Sequence, residues 1–474
     1  MRMLEVLLKG HDKFYGVTDV VRLFYDGVTE DKSAGRVICE SAPDAKFVCE
    51  LDLSGRSVTS WGAKRYIPQG RILEPGREIK RSLYLAMREL AGHDVPWGCL
   101  TGIRPTLVAS EENSPEALVR DYYVREDKAR IACETAREEL RLLDRIPEES
   151  VNIYVGIPFC PSRCSYCSFI AEDTAHHMDR LTAYEKALEG EIRLLAPRIN
   201  REIATLYVGG GTPTVLPDAE FARLLDCIYN NMSIKDNTEV TVEAGRPDTI
   251  TAYKLEAMKE HGISRICINP QTMRTDTLAK LNRRHTAEDV VSIYRLAASI
   301  GFDLINMDLI AGLPFEDASS HVDSVKALID LQPANITVHT LYKKRRATLD
   351  KSVVMDRDDT RGSVDYAVRE GYDLLYEAGY HPYYMYRQKD TGHGLENTGF
   401  AKGDTGCLYN VAMMTDFRDV LSFGAGGSSK RCFIQAEGPD SKRRVERCAT
   451  IKDAIGYIAR YEEMAERKAG FFEL

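Results

Sequence analysis

Three cysteines, Cys160, Cys164 and Cys167, stand within eight positions in IPFCPSRCSYCSF and form C-x3-C-x2-C. Thiolates bunched this closely in a chain with no export signal bind a metal ion or an iron–sulfur cluster, because disulfides do not persist where thiols stay reduced. Most of the 12 cysteines are scattered at irregular spacing and read as buried packing residues. Zinc asks for paired C-x2-C spacing and a fourth ligand, for which His176 and His177 are available. A cubane cluster on three cysteines instead leaves one iron open to a substrate or cofactor. Coincident packing of three cysteines is the remaining alternative.

The cysteines follow an apolar run, NIYVGIPF, and this is the first of six. ATLYVGG, EVTVEA, RICINP, FDLINMDLI and NITVHTL come after it, and amphipathic stretches at about 179–197, 218–231, 250–262, 286–300 and 319–331 separate them. Strands alternating with helices in this rhythm predict a parallel sheet covered by helices, either an open doubly wound sheet or a partial barrel. Ligands then sit at the carboxyl ends of the strands. Gly209, Gly210, Gly211, Thr212 and Pro213 follow the second run, where glycines let backbone approach a ligand closely. Glu243 ends the third, Gln271 follows the fourth and Asp308 lies in the fifth. A polar group in an apolar strand costs free energy unless it is paired or used, so three at successive strand ends converge on one site.

Length 474, with 44% hydrophobic and 28% charged residues, predicts two or three packed units and excludes a disordered, collagenous or small disulfide-stapled chain. A net charge of -9 without a strong basic cluster argues against nucleic acid. No run approaches a membrane span, and Glu5 interrupts the short apolar start, so a cytoplasmic location is expected. The expected division is an N-terminal α+β domain over 1–148, the barrel over 149–350 and a C-terminal region over 351–474 lying over the strand ends. In the first, VTDVVRLFYD and GRVICE suit strands, while REIKRSLYLAMREL and EDKARIACETAREELRLL suit helices. FGAGGSSK, with Lys430, falls short of a P-loop because G-x4-G-K-[ST] is not met.

C-x3-C-x2-C after a strand resembles the radical S-adenosylmethionine (SAM) enzymes. The resemblance implies a partial (β/α)6 TIM-like barrel with a C-terminal extension, a [4Fe-4S] cluster on Cys160, Cys164 and Cys167, and SAM on the open iron. One electron then cleaves the sulfonium to a 5'-deoxyadenosyl radical. The GGTP segment, here Gly210, Gly211, Thr212 and Pro213, meets the SAM amino group.

YVGIPFC, GGGTPT, VEAGRPD, NPQTM, LNRRHT and NMDLIAGLP together resemble the oxygen-independent coproporphyrinogen III oxidase group over about 152–345. WGCLTGIRPT, YYMYRQK, LENTGFAK and FGAGGSSK are similar to its HemZ-type coproporphyrinogen dehydrogenase branch. Carried over, Tyr154 lies near the cluster and SAM, and Glu243, Gln271, Arg283 and Asp308 contact SAM; Phe169 joins the cofactor surroundings. The implied reaction is oxidative decarboxylation of two propionates of coproporphyrinogen III to the vinyls of protoporphyrinogen IX. Hydrogen abstraction at the propionate β-carbon precedes loss of carbon dioxide and one electron, with flavodoxin or ferredoxin as electron donor.

The chain departs from the group's pattern at Gly156, where the better-known oxidases have histidine, and at Phe169, where they have a fourth cysteine. Two further activities occur among the same relatives. One is a haem chaperone, whose H-N-x-x-Y-W motif corresponds here to Tyr409, Asn410, Met413 and Met414; the other is a radical methyltransferase that opens haem. A tetrapyrrole's propionates call for guanidinium or ammonium partners, for which Arg104, Arg246, Arg387 and the run Lys343 to Arg346 are candidates. Tyr383, Tyr384 and Tyr386 are candidates to face the macrocycle.

Overall fold

The structure, a computed structural model, describes residues 3–169, 171–341, 357–388, 394–435 and 442–474. The run Lys343 to Arg346 lies outside the described residues. The chain divides into two compact units: Met1–Arg137 with Met385–Glu396, and Glu138–Tyr384 with Asn397–Leu474. The expected C-terminal domain is therefore not separate, since most of its residues belong to the same unit as the barrel.

In the first unit a six-stranded sheet runs Val28–Asp31, Arg36–Cys39, Leu4–Lys9, Ala45–Leu51, Ser57–Trp61, Lys64–Tyr66. Pairing is antiparallel except between Leu4–Lys9 and Ala45–Leu51. The helices Phe14–Arg22 and Pro75–Ala91 pack together against the sheet. VTDVVRLFYD is thus not a strand but lies mainly in the helix Phe14–Arg22. Its buried Val17, Val20, Val21 and Phe24 recur at i, i+3, i+4 and i+7, so helical periodicity prevails over β-propensity.

The second unit carries the six expected strands: β1 (Val151–Ile157), β2 (Ile203–Gly210), β3 (Glu239–Gly245), β4 (Arg265–Ile268), β5 (Leu304–Ala311) and β6 (Asn335–Thr340). They pair in parallel in chain order. The connecting helices are α1 (Thr174–Leu195), α2 (Asp218–Asn231), α3 (Ala252–Glu260), α4 (Ala287–Ile300) and α5 (Ala318–Leu331). Their starts are written in the sequence: Thr251 and Asp317 cap α3 and α5 through their side chains, and Thr286 forms a capping box with Asp289 on α4. Strands rich in Val, Ile and Leu bury both faces, as a helix-covered parallel sheet requires.

Later strands extend the sheet at both edges. Glu396–Lys402 pairs antiparallel with β6, and Asp419–Phe423 pairs parallel with β1 and leads into the antiparallel pair Ser428–Gln435 and Lys442–Ala449. Part of the C-terminal region lies opposite to the expected end. Thr405 accepts hydrogen bonds on its carbonyl from Arg265 and Asn335, at the first residues of β4 and β6, and Tyr409 N donates to Glu239 at the first residue of β3. This segment closes the amino ends of the strands and leaves the carboxyl ends to the cysteine loop. No helix among the described residues is long and apolar enough to cross a membrane.

Candidate functional site

The cysteine loop leaves the end of β1 and is fastened from two sides. Phe159–Cys160 pairs with Glu172–Asp173 at the base of the loop. Gly211 N donates to Ile157 O at 2.8 Å and Thr212 N to Phe159 O at 2.7 Å, which joins the glycine turn after β2 to the loop. Gly210 has φ +122, and a Cβ on Gly211 would stand 2.5 Å from Phe159 O and 2.9 Å from the Cys160 sulfur. Part of the close approach these glycines permit is thus to the cysteine loop itself. On the other side, Ser165 N donates to Leu281 O, Ser162 Oγ to Asn282 O and Asn282 Nδ2 to Arg163 O, which ties the loop to the segment preceding Arg283.

The three sulfurs meet different partners. Thr212 Oγ1 donates to Cys160 Sγ at 3.5 Å, and Cys167 takes a backbone hydrogen bond from Phe169. Cys164 Sγ faces two guanidiniums, Arg283 Nη1 at 3.6 Å and Arg246 Nη1 at 3.8 Å. Burial pushes the Cys160 thiol up to about 11 and also raises Cys167. Burial acts on Cys164 in the same sense, but Arg283 and Arg246 outweigh it and the thiol is held below its ordinary value. His176 is turned to Asp173, 2.5 Å away, on the exposed side of the loop.

Behind the loop the polar strand-end residues come together. Glu243 accepts from Tyr207 OH at 2.6 Å and from Gly210 N at 3.2 Å. Burial raises its carboxyl to about 7; the neighbouring Asp308 charge adds to this and the Tyr207 bond opposes it. Burial would also raise Asp308, but His339 at 3.8 Å and Asn306 Nδ2 at 2.7 Å hold it below its ordinary value. Gln271 adopts φ +72, a left-handed conformation unfavourable to a residue with a side chain. Two backbone bonds hold it there, Gln271 N to Asp308 O and Ile310 N to Gln271 O, each 2.9 Å. Arg283 donates through Nη2 to Asn269 O at 2.5 Å, while its Nε and Asn269 Oδ1 are buried without a partner. Such orphans cost about 1–3 kcal/mol each unless a bound group satisfies them. Three thiols with hydrogen-bond donors and an adjacent orphan donor and acceptor fit a cluster with an open iron and the carboxylate and amino groups of SAM.

Tyr154 lies directly across from Tyr207 in the β1–β2 register. Its ring stacks on Tyr207 and Tyr409 at centroid separations of 6.3 and 6.2 Å. Tyr207, which carries the hydrogen bond to Glu243, was not singled out by sequence reasoning; neither were Asn269, His339 or the cluster-side role of Arg246. Only Tyr207 had a sequence signal, its register partnership with Tyr154 when YVG in the first two runs is aligned.

Several expected tetrapyrrole contacts are engaged elsewhere. Arg246 is 3% exposed and forks onto Asp248. Arg387 is 7% exposed, donates to Leu100 O and to Gly394 O, and lies over the Trp97 ring within the first unit. Tyr383 and Tyr384 are buried; Asn410 Nδ2 donates to Tyr383 OH, and the Tyr384 ring fills the space beside Gly399 that a Cβ would need. Lys430 spends its ammonium on the carbonyls of Ala412, Met413 and Thr415.

A family model described as the radical SAM superfamily matches residues 154–328. The chain is 32% identical over 456 residues to the oxygen-independent coproporphyrinogen-III oxidase-like protein HemZ of Bacillus subtilis, covering 91% of this chain and 89% of that protein. It is 27% identical over 323 residues to the heme chaperone HemW of Haemophilus influenzae, covering 67% of this chain and 78% of that protein. Among solved structures, coproporphyrinogen III oxidase (HemN) from Escherichia coli, described as a radical SAM enzyme, shares the fold with a TM-score of 0.54 at 22% identity, over 70% of this chain and 73% of that one.

Proposed function

The chain belongs to the radical SAM superfamily, whose members use a [4Fe-4S] cluster and SAM, and within it to the HemZ-type group of oxygen-independent coproporphyrinogen III oxidase-like proteins; from that membership we propose that it decarboxylates the propionates of coproporphyrinogen III oxidatively to the vinyls of protoporphyrinogen IX. The observation that carries the reading is the joining of Cys160, Cys164 and Cys167 by the glycine turn and Arg283 at the carboxyl ends of β1, β2 and β4. When bound, the cluster and SAM supply reductive cleavage of the sulfonium to a carbon radical able to abstract an unactivated hydrogen.

In this reading Cys160, Cys164 and Cys167 are the cluster ligands, and Thr212, Phe169 and Arg283 fix their orientation through the contacts to sulfur described above. Arg283 Nε and Asn269 Oδ1 present a donor and an acceptor for the carboxylate and amino groups of SAM. Gly210 and Gly211 bring backbone up to the same place. Glu243, held by Tyr207, and Asp308, held by His339, accept hydrogen bonds from SAM, and Gln271 is aimed by its constrained backbone. Tyr154 covers the interior face through its stack with Tyr207 and Tyr409. The C-terminal segment over the strand starts keeps water from entering by the opposite end. A ferredoxin or flavodoxin as electron donor and a cytoplasmic location belong to the same proposal.

The HemW relatives favour haem transfer as a second reading. Against it, Tyr409, at the position of the chaperone motif's histidine, is stacked in the core on Tyr207 at 4.5 Å, and Asn410 donates to Tyr383. Anaerobic incubation of the reconstituted protein with coproporphyrinogen III, SAM and a strong reductant, read by mass spectrometry, separates the readings. Loss of two carboxyl groups together with formation of 5'-deoxyadenosine is expected. Unaltered tetrapyrrole with stable haem binding would overturn the oxidase reading.

A further inference from the structure

The guanidinium of Arg246 is placed by more contacts than a packing role needs. It enters from the end of β3, where its carbonyl accepts from Thr249 N and Thr249 Oγ1, both at 3.0 Å. Asp248 grips the far side of the fork, accepting from Nε at 3.1 Å and from Nη2 at 2.7 Å. The near side, Nη1, donates to Ser162 Oγ at 3.0 Å and Ser162 O at 3.2 Å, and lies 3.8 Å from Cys164 Sγ. The side chain is 4% exposed, so water screens little of its charge. Among the described residues, Cys160 takes its hydrogen bond from Thr212 and Cys167 from the Phe169 backbone, whereas Cys164 takes two from charged groups, Arg246 and Arg283.

A cluster gains one negative charge on reduction, and hydrogen bonds and positive charge at its sulfurs favour that reduced form. We propose that Arg246 is a positioning residue that fixes the Cys164 corner of the cluster and raises its reduction potential, with Asp248 partly offsetting the guanidinium charge. The inference rests on the cluster assignment of the proposed function. It gives GRPD, the segment after β3, a role apart from SAM contact, and it explains why Arg246 is not available to a propionate.

The two members of the pair act with opposite sign, which a merely structural role does not produce. The test is an electron-paramagnetic-resonance redox titration of the reconstituted full chain without SAM, comparing wild type, Arg246→Met and Asp248→Asn at equal iron content. At the wild-type midpoint the reduced-to-oxidised ratio in Arg246→Met is expected to fall about tenfold, equivalent to about 59 mV for one electron. In Asp248→Asn it is expected to rise, because the guanidinium loses its counter-charge. Midpoints that stay together, or that move in the same direction, overturn the inference. If Arg246→Met does not take up iron, Asp248→Asn alone decides: a rise supports the inference and a fall or no change overturns it. A wild-type chain that assembles no cluster under the same conditions would overturn the cluster assignment instead.

Discussion

Glu191 on α1 is buried with Lys468 of the C-terminal helix Ala454–Phe472, their side chains 0% and 1% exposed. Its Oε1 accepts from Lys468 Nζ at 2.6 Å, and its Oε2 from Tyr457 OH at 2.5 Å and Gly424 N at 2.9 Å. Gly424, at φ +89, sits so close to the end of β1 that a Cβ there would lie 2.3 Å from Gly156 O; Tyr184 OH completes the contact by donating to Gly156 O at 2.6 Å. The network thus clamps the last turns of β1, just ahead of Cys160, to the FGAGG turn. Glu191→Met leaves an ammonium buried without its counter-charge, a loss of about 3–5 kcal/mol, whereas replacing a whole buried pair by apolar residues is often close to neutral. At 1.4 kcal/mol per decade, backbone amides of Val151–Ile157 should exchange on the order of a hundred- to several-thousandfold faster in Glu191→Met. Most of that protection should return in the double variant with Lys468→Met. Hydrogen–deuterium exchange read by mass spectrometry on peptides covering β1 measures both. Unchanged exchange in the single variant, or a double variant no better protected than the single, would refute the clamp.

His321 on α5 is buried with Nε2 unpartnered, and burial lowers its pKa from 6.5 to about 4. The folded chain therefore holds it neutral while the unfolded chain protonates it, so its contribution is fully present above about pH 6.5 and is lost as pH falls toward 4. At 1.36 kcal/mol per unit this is about 3 kcal/mol. The thermal midpoint of wild type should therefore fall further than that of His321→Leu between pH 7 and 4.5, and parallel curves over that range would show that His321 carries none of the dependence. At Gly211 a Cβ would meet the backbone at Phe159 O 2.5 Å away, so Gly211→Ala must displace the cysteine loop. Iron content after reconstitution should drop by more than about half with the helical signal unchanged; full iron loading would contradict the packing described.

The barrel was legible because six β-rich runs alternate with five amphipathic stretches, and the starts of α3, α4 and α5 follow capping residues visible in the sequence, Thr251, Thr286 and Asp317. That the cysteine loop and strand-end Glu243, Gln271 and Asp308 gather at one place was legible for the same reason, since topology puts every strand's carboxyl end at one face. The charged second layer was not. Arg246 read as a partner for a propionate until the fold buried it against Ser162 and Cys164, with Asp248 across the far side of its fork, and His339 sits in an ordinary strand with nothing to mark it. Val17–Phe24 misled because Val and Phe favour strands locally while their spacing is helical. The C-terminal residues near Thr405 and Tyr409 misled for another reason: sequence order gives no sign of which end of a parallel sheet a returning segment will cover.

The most direct test of the central claim uses coproporphyrinogen III carrying deuterium at the propionate β-carbons, turned over anaerobically with SAM and reductant. Deuterium recovered in 5'-deoxyadenosine, with a tetrapyrrole product lighter by two carbon dioxides and, for each propionate converted, by one β-deuterium and the carboxyl proton, is the predicted result. 5'-Deoxyadenosine free of deuterium over an intact tetrapyrrole would contradict it.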